Sequence, residues 1–425
     1  MNAPPKTENA LAPYRVLDLA QGACTLCGKI LGDLGADVIK VEPPGGDPTR
    51  NIGPFHKDTP HPEKSLFWFA YNANKRGITL DIETSDGREI FKKLARKADF
   101  VIESFPPGYL DSLGLGYEDL EQVNPHIIMT SITTFGQEGP KSHYKGGDLV
   151  SWAVGGMLYT MGDPDRPPTW TGFPQGALHG AAEGAAASLV AHWHREATGE
   201  GQHVDVSMQK CAAGTLQAIT EMWEFMKYVY RRAGPRLVSG SGLGRRQLFP
   251  CKDGYVAFMI MGGSIPGIVA STRALVAWMA EENMAPDWLL QFDWATDFDI
   301  ADPNKFPQEK IDRIEEAMKR FFMTRGKQEL YTGAVERGII LTPVSDARDV
   351  REHPQLRERG FWQQVDHPEL GESLDYCGGF VEMSDTPIAI RRRAPLIGEH
   401  NDEVYRKELR FSREQLVLLK QNCVI

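Results

Sequence analysis

Apolar and polar positions in the first half of the chain switch repeatedly between strand and helix periods. Residues 15–19 (RVLDL) are a short apolar run of strand formers, and 37–41 (DVIKV) are a second. Between them Leu26, Ile30, Leu31 and Leu34 recur at helical spacing, and Gly35 stands where a helix C-cap is expected. Strand, loop, helix and strand in that order predict a βαβ unit of parallel type. Glu42 closes the second strand, and the run from Pro43 to Gly46 predicts a loop. The pattern then repeats. Residues 78–81 read as a strand, and 85–97 as a helix carrying Ile90, Phe91 and Leu94 with Ser85 or Asp86 as N-cap. Residues 100–103 and 127–131 read as further strands. Such alternation predicts an α/β fold, a doubly wound Rossmann-like sheet whose ligands sit beyond the carboxyl ends of the strands.

Beyond residue 175 the periods lengthen. Residues 175–196 are Ala-rich and predict a long buried helix, broken by Gly199 and Gly201, after which 204–208 alternate like a strand. Residues 208–235 predict helix, 239–244 (SGSGLG) a flexible glycine-rich loop, and 252–258 a hairpin. Helical periodicity dominates 260–340, and 399–402 open a capped terminal helix. No internal repeat stands out. The chain therefore divides into a large α/β domain over 1–224, a smaller α+β domain over 225–330, and a linker and C-terminal segment over 331–425 returning to the large domain.

Composition narrows the class. At 425 residues the chain has room for two domains. No apolar run approaches the roughly 20 residues that cross a bilayer. The first fifteen residues lack a basic segment followed by an apolar one, so they read as a frayed terminus and not as a secretory signal. Net charge is −10 with both signs interspersed, and no Lys/Arg block points to nucleic acid or an anionic membrane. Six cysteines are too few for a disulfide scaffold. Cys24 and Cys27 form a C-x-x-C without a second pair or a nearby His pair, which favours packing over zinc or redox chemistry. No metal is expected, and a reducing cytoplasm fits best.

An ordered set of segments then resembles the class III CoA-transferases, the family of formyl-CoA:oxalate CoA-transferase, carnitine CoA-transferase and α-methylacyl-CoA racemase. The segments are RVLDLAQGACTLCGKILGDLGADVIKVEPPGGDPTR, NANKRGITLDI, ADFVIESFPPG, LGLGYEDLEQVNPHIIMTSITTFGQEGP, GDLVSWAVGGMLYTMGDPDRPP and HREATGEGQHVDVSM. The resemblance implies a large and a small domain joined by linkers, two chains interlocked like links, and CoA or acyl-CoA bound as substrate, with no permanently bound cofactor. It places Gln21, Gly22 and Ala23 in the loop near the thioester, Lys75 and Lys145 at the CoA phosphates or ribose, and Phe105 beside adenine. Loop N–H groups and cations suit phosphates. A family Arg seven positions after that Phe is Ser112 here. Gly240, Gly242, Gly244 and Gln247 match a lid loop, where Arg245 and Arg246 form a guanidinium pair suited to a second carboxylate.

The family attacks the donor thioester with an Asp carboxylate, forming a mixed anhydride in a dry site. Counting back from His194-Arg195-Glu196 puts that residue at position 177, which is alanine. Glu183 lies six residues along the helix, nearly two turns away. Asp148 reads as an N-cap, and His179 as a packed residue. The racemase His falls at Gly147. The chain is similar to a branch of anaerobic aromatic degradation whose two related subunits include one without the aspartate. That implies a homologous Asp-bearing partner in an interlocked heterodimer or heterotetramer, with acyl-CoA and a carboxylic acid as substrates. Two other readings remain: a homomeric transferase using a displaced carboxylate such as Glu183, and a non-enzymatic CoA-binding scaffold or regulatory subunit.

Overall fold

The computed structural model describes residues 9–238, 241–263 and 266–425, without the side chains of residues 266 and 268. The terminal tip at 1–8 and Gly240 lie outside them. The chain forms two units. The first holds residues 1–158, 170–228 and 354–425, and the second holds 159–169 and 229–353.

Six parallel strands build the first unit: β1 (Arg15–Asp18), β2 (Asp37–Glu42), β3 (Lys75–Thr79), β4 (Phe100–Glu103), β5 (Ile128–Thr133) and β6 (Gln202–Ser207), in the order β3-β2-β1-β4-β5-β6. Strand order reverses between β1 and β4, which opens a crevice past their carboxyl ends. Because side chains alternate across a strand, Leu17, Ile39, Ile78, Val101 and Met129 enter one core. Val16, Val38, Phe100 and Ile128 enter the other. The second core is closed by α1 (Leu26–Asp33) and by the long Ala-rich helix described below.

β3 begins at Lys75, three residues before the expected strand. Hydrophobicity missed its start because Lys75 and Arg76 are buried charged residues. Arg76 pairs with Asp37, Glu403 and Glu408. Helix α2 (Ser85–Ala95) is capped one residue earlier than expected, by Thr84, whose hydroxyl accepts the Gly87 N–H. Downstream lie α3 (Asp148–Val154) and α4 (Gln175–Thr198). The helix expected over 208–235 is two, α5 (Met208–Thr215) and α6 (Gln217–Met226); it stops where Lys227 turns left-handed at φ 53°.

In the second unit β7 (Arg236–Val238) pairs with β8 (Gly244–Arg246). A separate antiparallel sheet orders β11 (Leu341–Pro343), β10 (Gly254–Phe258) and β9 (Leu248–Cys251). Helices α7 (Pro266–Glu281), α8 (Gln308–Phe322) and α9 (Lys327–Glu336) surround a core of Phe249, Phe258, Trp278, Phe321 and Phe322. The expected boundary at 330 cuts this unit, since β11 completes its sheet. Residues 354–425 then rejoin the first unit through the hairpin β12 (Trp362–His367) and β13 (Glu372–Cys377). The capped terminal helix starts later than expected. Asp402–Glu408 is a π-helical turn, and Ser412 caps α10 (Arg413–Gln421). Val424 and Ile425 end inside the core shared by Leu17 and Ile39.

Candidate active site

β1 ends on Asp18, and the next residues turn across the crevice. Their amides are already engaged: Ala20 N–H donates to Asp18 Oδ1 at 2.9 Å, Gln21 N–H to Ser104 Oγ at 2.9 Å, and Gly22 N–H to Thr49 Oγ1 at 2.9 Å. Gly22 takes φ +57°, which suits glycine. Cys24 and Cys27 are buried and free, and burial pushes the Cys24 thiol up to about 12. Both pack in the core with Val16, Leu31 and Ala177, the packing role expected of them.

A cleft of about 420 Å³ opens past the strands, bordered by Gln21, Phe105, Tyr109, Leu80, Asp81 and Glu83 among others. Phe105 and Tyr109 stack at a tilt with ring centres 4.8 Å apart. Tyr109 OH donates to Glu83 at 2.7 Å. Burial first, and then that carboxylate, push the phenol up to about 12. The structure thus brings Gln21 and Phe105 to one cleft. Sequence reasoning missed Tyr109 and Glu83, because a Pro-Pro-Gly turn separates Phe105 from the short helix that starts at Tyr109. Among the described residues no lysine or arginine borders this cleft.

Lys75 does not reach it. Its side chain is fully buried, and its ammonium donates to Asp18 Oδ2 at 2.7 Å, the Thr25 carbonyl at 2.7 Å and Asn72 Oδ1 at 2.9 Å. All three donors are used, so the expected phosphate contact is replaced by a structural ion pair. Burial lowers the Lys75 pKa to about 8, opposed by Asp18, which leaves the group charged at neutral pH. Lys145 is exposed in the loop before α3 and does not border the cleft. Ser112 donates back to the Tyr109 carbonyl.

Glu103 closes β4 behind the cleft. It accepts the Phe105 N–H at 2.6 Å, and burial raises its pKa to about 7.

Ala177 sits in the first turn of α4, 8% exposed. Its N–H donates to Asp148 Oδ1 at 3.0 Å, while Asp148 Oδ2 accepts Trp170 Nε1 at 3.2 Å. Asp148 therefore caps α4, the capping role expected of it but on another helix. The approach is tight: a Cβ on Gly176 would lie 2.2 Å from Ser151 Oγ. Glu183 is exposed two turns along and is engaged with the Cys211 thiol, which burial and that carboxylate push up to about 12. His179 is half-buried.

In the second unit the expected flexible loop is partly strand. Gly242 takes φ +85°, but Gly244 N–H is held by Gln308 Oε1 at 2.8 Å, and Gln247 N–H donates to the Pro235 carbonyl at 2.8 Å. Arg245 and Arg246 do not pair. Arg246 and Arg236 both approach Glu315, whereas Arg245 leaves from the opposite face of β8. Among the described residues no cluster of His, Cys, Asp or Glu could hold a metal, and no helix is long and apolar enough to cross a membrane.

The profile of CoA-transferase family III matches residues 11–401. The subunit BbsE of succinyl-CoA:(R)-benzylsuccinate CoA-transferase of Thauera aromatica is 36% identical over 394 residues, 92% of each chain. A formyl-CoA:oxalate CoA-transferase of Streptomyces coelicolor is 31% identical across 99% of this chain and 100% of its own. A CAIB/BAIF family protein of Brucella suis superposes with a TM-score of 0.79 at 26% identity, covering 94% of this chain and 100% of its own. With its parallel sheet, its crevice and a match along nearly its whole length, the chain belongs to the class III CoA-transferases, enzymes whose substrates are CoA thioesters.

Proposed function

We propose that this chain is the non-catalytic subunit of a heteromeric class III CoA-transferase. It would act with a homologous, Asp-bearing partner that moves CoA from an acyl-CoA, such as succinyl-CoA, to a carboxylic acid of the benzylsuccinate type. The observation that carries the proposal is Ala177. A methyl group can neither attack a thioester nor carry charge, and the nearest carboxylate, Asp148, is committed to capping α4. The partner's Asp would attack the thioester carbonyl and expel CoA thiolate, giving the anhydride. Thiolate would attack the aspartyl carbonyl, releasing the donor acid and leaving an aspartyl-CoA thioester. The acceptor carboxylate would attack that carbonyl and expel thiolate, and the thiolate would then attack the acceptor's acyl carbonyl in the new anhydride, forming the product thioester and freeing the aspartate.

Two further observations support this reading. Among the described residues the cleft that would receive CoA has no bordering lysine or arginine, and Asp81 and Glu83 stand there without an ion-pair partner. Large apolar side chains also stand in solvent on one unit: Val190 (70%) and Trp193 (78%) on α4, and Phe225 (80%) and Met226 (70%) on α6. Val190 and Trp193, about one turn apart on α4, form an exposed apolar pair of the kind found at protein–protein contacts. The relative named a subunit agrees with a partner.

The test is hydroxylamine trapping during turnover with the assembled pair, followed by mass spectrometry. The modified residue is expected on the partner alone. A hydroxamate on Glu183 or Asp148 of this chain would establish the displaced-carboxylate alternative. Binding of CoA without any effect on a partner's turnover would establish the scaffold reading.

A further inference from the structure

β4, β5 and β6 carry a polar row at the carboxyl edge of the sheet. Glu103 on β4 is the register partner of Ser131 on β5, so the two side chains leave the same face. His203 on β6 is the register partner of Met129, two residues before Ser131, and leaves that face too. Glu103 is 4% exposed and Ser131 1%, whereas His203 is exposed. The Ser131 hydroxyl stabilises the Glu103 charge on one side and lies 2.9 Å from His203 Nε2 on the other. Tyr117 stacks on the imidazole with the ring planes 11° apart, which fixes its orientation. A cavity of about 180 Å³ runs beside the row and is bordered by all three residues. A buried carboxylate is thus connected to solvent through one hydroxyl and one imidazole. The same carboxylate supports the cleft, since its Oε2 accepts the Phe105 N–H at 2.6 Å and the Phe105 ring stacks with Tyr109. An ionised acceptor makes a bond roughly twice as strong as a neutral one. Burial first, and then Asp111 and Asp205, oppose that ionisation. Glu118 and Tyr117 face the same cavity, and Cys24 lies close enough to feel the charge. Among the described residues no lysine or arginine borders the cavity.

We propose that Glu103 is a positioning residue whose ionised carboxylate locks the Phe105 wall of the cleft, with Ser131 and His203 as its proton path to solvent. The proposal is independent of the subunit reading. On ionisation Glu103 gives its proton to Ser131 Oγ while the Ser131 proton passes to His203 Nε2, and His203 releases its Nδ1 proton to water. Each residue other than Glu103 ends with the proton count it began with. The hydroxyl then points at the carboxylate and accepts from His203 Nε2–H, the arrangement that best holds the charge. The wall is held tightly above neutral pH and loosened below it.

The full chain is labelled with nitrogen-15 at phenylalanine, and its amide signals are followed by NMR from about pH 5 to about pH 9, a span that brackets neutrality. Phe105 is identified by the signal missing from Phe105→Leu. Its amide proton is expected to move downfield in one step with a midpoint of about 7, and the His203 ring protons are expected to show the same step. Glu103→Gln, a permanently neutral acceptor, should abolish the step at both places. Ser131→Ala should move the Phe105 midpoint upward and remove the step from His203. Asp111→Asn and Asp205→Asn should move the midpoint downward and keep the step, which separates Glu103 from its acidic neighbours. The wild-type titration decides the matter even if a variant does not fold. A Phe105 amide that stays still across the range, a step that survives Glu103→Gln, or a His203 ring that never shares the step overturns the assignment.

Discussion

Lys75→Met separates a structural ion pair from a ligand contact. The substitution removes three hydrogen bonds and leaves the Asp18 carboxylate, fully buried, with the Ala20 N–H as its one donor among the described residues. Breaking a buried ion pair from one side costs about 3–5 kcal/mol. For a unit of this size each kcal/mol moves the melting temperature by about 2–4 °C, so a fall of roughly 10 °C is expected. Asp18→Asn with Lys75→Met discharges the orphan carboxylate while keeping an acceptor for Ala20. It should therefore recover at least about 1 kcal/mol relative to the sum of the single variants. Urea unfolding followed by tryptophan fluorescence measures all four proteins. A solvated lysine reserved for a phosphate would change stability by less than about 0.5 kcal/mol on substitution. A loss of that size, or simple additivity in the double variant, refutes the structural assignment.

Three other outcomes follow from the same geometry. Glu103 is raised to about 7, above its ordinary value of 4.5. Its stabilising contribution is thus complete below about pH 4 and lost as pH rises through 7. Glu103→Gln should gain on the wild type by up to about 3 kcal/mol between pH 4 and pH 8 in urea titrations, and a pH-independent difference would count against the burial effect. Asp148→Ala should lose about 1 kcal/mol through the uncapped first turn of α4, read by thermal melting; no loss would remove the capping role. Gly28→Ala places a Cβ 2.3 Å from Asp18 Oδ2 and should destabilise the first unit by more than about 1 kcal/mol. Wild-type stability would show that the Asp18 region yields.

Much of the sheet is readable from periodicity, because β1, β2, β4 and β5 are apolar runs flanked by glycine and proline. β3 is not, because its first residues are charged groups whose burial is compensated by Asp18, Asp37 and two glutamates from the far end of the chain. No local pattern reports partners more than 300 residues away. The same limit applies to the site. Position 177 can be counted from a motif, but the contact of Asp148 with its amide depends on how α3 meets α4. Lys75 carries a motif's sequence context, yet three acceptors inside the fold claim it. Arg245 and Arg246 are indistinguishable as a pair of letters, and strand alternation sends one to Glu315 and the other to Ile260 and Met261.

In the proposed assignment the chain contributes structure and recognition, while the covalent chemistry belongs to a partner. CoA exchange between a labelled acyl-CoA and a dicarboxylic acid, measured for the purified chain and again after assembly with an Asp-bearing homologue, tests it most directly. No exchange is expected from the chain alone, and exchange is expected from the pair, abolished when the partner's aspartate is replaced by alanine. Full exchange by the isolated chain would contradict it.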